Sequence, residues 1–108
     1  MELSTEDQKL VTLARSVRAR TGAPEGAAVR DSDGRTYAGA TVSLPSLELS
    51  AVQVCVAMAV ASGSKGLQAA VVLGEAAELA TPDQAVLRDF GGEHVVVHLG
   101  DARGQIHQ

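Results

Sequence analysis

Aromatic side chains are nearly missing from this chain: Tyr37 and Phe90 are the only two, and there is no tryptophan. Single-stranded nucleic acids are held on aromatic platforms beside basic grooves. Neither is present here, since the net charge is -4 and no run of Lys and Arg interleaves with aromatics. No nucleic-acid partner is expected. Cysteine is reduced to Cys55. One cysteine cannot staple a secreted fold, and structural zinc sites take four protein ligands. Long apolar runs are missing too. The most apolar stretch, residues 49–61, is shorter than the about 20 residues a membrane helix needs. The N-terminus shows no basic region followed by an apolar one, so no signal peptide is expected. These absences point to the cytoplasm, with no membrane partner.

What is present is aliphatic. Hydrophobic residues make up 45% of the 108, so the core must be built from Val, Leu and Ala. Each fully buried Val or Leu contributes about 1.5–3 kcal/mol, and Ala less. Such a core has a modest margin, which burial between subunits would raise; a homo-oligomer is expected. The length suits a single domain spanning residues 1–108.

Ser4 and Thr5 are good helix caps, with Leu10, Leu13, Ala14 and Val17 following at helical spacing and Gly22 and Pro24 as stops. Residues 27–30 and 35–42 read as two strands joined by Asp31-Ser32-Asp33-Gly34, a strong hairpin turn. Residues 43–46 read as a loop. Residues 47–61 are apolar on nearly every side, and their length and alanine content favour a buried helix. Residues 67–73 are a continuous apolar run between glycines, the pattern of a strand covered on both faces. Thr81 as cap, Pro82 and Gln84 start a further helix that Gly91-Gly92 ends. Residues 95–99 form another strand, and 105–107 an additional frayed one.

This order resembles the cytidine deaminase family over nearly the whole chain. Gly26-Ala27-Ala28-Val29, Asp33-Gly34-Arg35 and Tyr37-Ala38-Gly39-Ala40-Thr41-Val42 are similar to the family's opening hairpin, with its Val-Gly-Ala-Ala, Asp-Gly-Arg and Gly-Cys-Asn-Val-Glu-Asn segments. Thr81-Pro82 and Leu87-Arg88-Asp89-Phe90 resemble the frame of its second zinc segment, Ser-Pro-Cys-Gly-Ala-Cys-Arg-Gln-Val-Leu-x-x-Phe. The resemblance implies an α/β fold: a three-layer α/β/α arrangement, with a mixed sheet of four to five strands and helices on both faces. It also implies assembly as a dimer or tetramer.

The departures fall on the chemistry. In the family a Cys or His at the start of the second helix and two cysteines of a Pro-Cys-x-x-Cys turn hold zinc, and a Glu two residues after the first ligand moves protons. Those first two positions fall at Val52 and Val54, and Pro82 is followed by Asp83 with no cysteine. The ribose-binding Asn and Glu fall at Thr41 and Ser43, and the loop that supplies a substrate-contacting Phe is shortened to Ala23-Pro24-Glu25. The expected remnant pocket is therefore Thr41, Ser43, Val52, Val54, Pro82 and Asp83, apolar in its lining. It has no catalytic residue, no metal and no cofactor.

Other candidates reduce to structure. His94 and His98 share a strand face without a third ligand, and Cys55 reads as a small core residue. Gly63-Ser64-Lys65-Gly66 lacks the full phosphate-loop pattern, and Ser46 or Ser50 reads as a helix cap. Three functional readings follow: an inactive deaminase-like protein that binds a protein partner or assembles with itself, a small-molecule binder using the remnant pocket for a nucleoside-like ligand, and a cytidine deaminase in fold alone.

Overall fold

A computed structural model describes residues 3–107. Helix α1 (Thr5–Thr21) begins where Ser4 Oγ accepts the backbone N–H of Asp7. Strands β1 (Gly26–Asp31) and β2 (Thr36–Ala40) pair antiparallel, with Val29 opposite Tyr37. Their turn is held by Asp31, whose fully buried carboxylate accepts from Asp33 N and Arg35 N at 2.9 Å each and from Ser64 Oγ at 2.5 Å. Gly34 completes the turn at φ +88°, a conformation other residues rarely adopt.

The next segment departs from the sequence reading. Residues 43–46 are not a plain loop, and residues 47–49 are not helical. A small antiparallel hairpin, β3 (Val42–Leu44) and β4 (Leu47–Leu49), stands before α2 (Ala51–Ala61). The helix starts late because a capping box fixes its first residue. Ser50 Oγ accepts from Gln53 N at 3.0 Å, and Gln53 Oε1 accepts from Ser50 N at 2.9 Å. Upstream of it, Leu47-Glu48-Leu49 alternates as a strand does.

Strand β5 (Leu67–Leu73) has the expected bounds, and α3 (Thr81–Gly91) and β6 (Val96–Gly100) follow. Thr81 is the first helical residue rather than the cap; Ala80 holds the cap position and makes no side-chain bond. The expected last strand is a single bridge between Gly100 and Ile106.

The sheet order is β2-β1-β5-β6, antiparallel except for the β5–β6 pair. The period-two alternation of strands divides the core. Ala28, Val71 and Leu73 meet Leu10 and Ala14 of α1 on one face. Ala27, Val29, Ala70 and Val72 meet Val52, Cys55, Val56 and Leu87 of α2 and α3 on the other. This is the expected three-layer α/β/α architecture, with four strands. Among the described residues, no helix is long and apolar enough to cross a membrane.

Candidate functional site

The N-termini of α2 and α3 converge on the outer side of one core layer. Ser50 caps α2 and turns its hydroxyl proton outward, donating to Asp83 Oδ1 at 2.6 Å. Asp83 lies in the first turn of α3 and is only 3% exposed. A carboxylate there faces the positive ends of helix dipoles, worth about 0.3–1 kcal/mol per end at exposed sites and more when partly buried.

Of the six residues expected in the pocket, two engage polar partners. Asp83 binds Ser50. Thr41 Oγ1 accepts from Glu25 N at 3.2 Å and also lies 3.4 Å from Glu25 O, fastening the start of β1 to the end of β2. Val52 is fully buried and belongs to the core cluster with Cys55, Val56, Val72 and Leu87. Val54 is half-buried and packs on Gly39; a Cβ at Gly39 would stand 2.6 Å from Val54 Cγ1. Ser43 is exposed on β3 opposite Glu48, and Pro82 is exposed at the start of α3.

Glu25, which the sequence places only in the shortened Ala23-Pro24-Glu25 loop, stands beside this site. It lines a cleft of about 480 Å³ together with Arg18, Thr41 and Glu75. Burial pushes its carboxyl above the ordinary value, and repulsion from Asp83 adds to the shift. Charged side chains line this cleft, and of the six residues expected in the pocket only Thr41 lines it. The available signal was a single acid set between Pro24 and the apolar start of β1.

The donor set does not fit a zinc ion. Among the described residues, no three His, Cys, Asp or Glu side chains are grouped to hold a metal. Cys55 is fully enclosed in the core cluster with Val52 and Val56, and burial pushes its thiol up to about 12.

A separate polar cluster lies on the α1 side of the sheet. Asp7 Oδ2 meets His98 Nε2 at 2.9 Å, and Arg30 Nη2 stands 2.9 Å from Asp7 Oδ1. The Arg30 contact is a pairing of charges without an aligned hydrogen bond, and among the described residues the buried Arg30 Nη1 meets no hydrogen-bond partner. Arg30 Nε donates to Gln68 Oε1 at 2.8 Å. The group ties α1 to β1, β5 and β6.

The family model described as cytidine deaminase-like matches residues 3–104. No curated protein matches the chain by sequence. The crystal structure of cytidine deaminase from Burkholderia pseudomallei superposes with a TM-score of 0.82 at 21% identity, covering 97% of this chain and 91% of that one. The enzyme from Mycobacterium leprae gives 0.77 at 23% identity, covering 89% of each chain. That from Bacillus anthracis gives 0.69 at 18% identity, covering 96% of this chain and 81% of the other.

Proposed function

The chain belongs to the cytidine deaminase-like family, and from that premise we propose that it is a member without deaminase chemistry, a self-assembling module built on the deaminase frame. One observation carries the reading: hydrocarbon side chains occupy the positions where the family resemblance puts the first zinc ligand and the proton-transferring carboxylate. Val52 is sealed in the core, and Val54 packs on Gly39. Hydrolytic deamination needs a metal to bring the pKa of a bound water near neutrality and a carboxylate to carry its proton to the leaving amine. Asp83, the one acid left at a ligand position, is engaged with Ser50.

The outer face of α2 supports self-assembly. Its inward residues Ala51, Val52, Cys55, Val56 and Ala59 fill the core. Its other side carries Ala57, Met58, Val60 and Ala61, with Val60 51% exposed. Leu44 and Leu47 on the preceding hairpin are 57% and 48% exposed. A helix apolar all round is ordinarily buried all round. The proposed occupant is a second copy of this chain, because obligate homodimer interfaces are the apolar ones.

Sedimentation analysis at micromolar concentration tests this. The expected result is a dimer or tetramer that Val60→Lys converts to a folded monomer. A wild-type chain that stays monomeric at every concentration overturns self-assembly.

A second reading, a small-molecule binder, is favoured by the Glu25 cleft, whose about 480 Å³ lies in the range of ligand sites. A thermal-shift screen with nucleosides and bases tests it, since a ligand of the native state raises the melting temperature.

A further inference from the structure

We infer that the Ser50–Asp83 contact is a metal-independent staple: it joins the N-termini of α2 and α3 with protein groups alone, at the place where the family resemblance puts zinc. The inference rests on the reading that these residues do not fit that ion.

Three observations carry it. First, the Ser50 hydroxyl is used twice: it accepts the Gln53 N–H at 3.0 Å and donates to Asp83 Oδ1 at 2.6 Å. A continuous chain of hydrogen bonds thus runs from an amide of α2 to a carboxylate of α3, and each link polarises the next. Second, Asp83 is buried, yet among the described residues no cation pairs with it. A buried carboxylate is costly unless something compensates its charge. Here the compensating groups are the Ser50 hydroxyl and the positive ends of the two helices. Third, α2 and α3 otherwise meet through apolar side chains such as Val52 and Leu87. Among the described residues, Ser50–Asp83 is the only hydrogen bond that joins the capped end of α2 to α3. Apolar contact can slide; a directional bond fixes where the two helix ends meet.

The test is a double-mutant cycle read by urea denaturation of the full chain, using Ser50→Gly and Asp83→Asn. Glycine is a tolerated helix cap, so Ser50→Gly removes the hydroxyl while costing little as a cap. The two substitutions are expected to be non-additive, with a coupling of about tenfold in the unfolding constant. The wild-type midpoint is expected to stay in place on adding EDTA or equimolar zinc ion. Strictly additive effects overturn the staple, as does a midpoint that EDTA lowers or zinc raises. Should Asp83→Asn fail to fold, Ser50→Thr decides. It retains the hydroxyl and is expected to match wild type, while Ser50→Gly is weakened; equal weakening in both overturns the proposal. A monomer in sedimentation would sink self-assembly and leave this coupling untouched, so the two failures are distinguishable.

Discussion

Asp7 and His98 are 91 residues apart in sequence and 2.9 Å apart in space. The contact joins the first turn of α1 to the edge strand β6, with Arg30 on the other oxygen of the same carboxylate. Burial pushes the Asp7 carboxyl up, but its contacts with His98 and Arg30 outweigh this and hold it below its ordinary 3.8. A folded-state value depressed in this way adds stability above the unfolded pKa, and that stability is lost as pH falls through the folded one. Asp7→Asn is expected to cost about 1–3 kcal/mol at pH 7. Denaturation midpoints measured from pH 7 down to strong acid should converge for the two chains below the ordinary Asp range.

Glu25 has the opposite sign. Burial and repulsion from Asp83 raise its carboxyl above the ordinary 4.5. Its contribution is therefore fully present below that value and is lost as pH rises through the folded pKa. Glu25→Gln removes the penalty of holding a half-buried charge. The variant is expected to melt higher than wild type at pH 7, with the difference vanishing near pH 4. A variant that melts lower at pH 7 would mean that the carboxylate has a favourable partner.

Gly39 marks where β2 passes closest to α2. A Cβ there would stand 2.6 Å from Val54 Cγ1 and 3.0 Å from Val54 Cβ. Gly39→Ala is expected to cost about 1–3 kcal/mol through overpacking. Val54→Ala in the same chain should recover part of that loss, because it removes the nearer atom. Urea denaturation of the three variants measures the coupling.

Much of the fold was legible because its signals are local. Strand β5 was bracketed by glycines and uniformly apolar, and Asp31 to Gly34 is a turn by residue chemistry alone. The β3–β4 hairpin was not legible: Leu47 and Leu49 continue the apolar composition of α2, and only the Ser50–Gln53 capping box separates the two elements. Thr81 has the chemistry of a cap, yet it is the first helical residue, and Ala80, which has no side-chain acceptor, holds the cap position. Of the site, the hydrocarbon character of Val52 and Val54 is plain in the residues themselves. The roles of Asp83, Glu25 and the Asp7–Arg30–His98 cluster were hidden, since partners far apart in the chain leave no spacing to read.

The most direct measurement is ammonia release from cytidine by the purified chain, with and without an equivalent of zinc. The account predicts no release above buffer under either condition, because no side chain at Val52 or Val54 can bind the metal or carry the proton. Release that rises in proportion to protein concentration would contradict it.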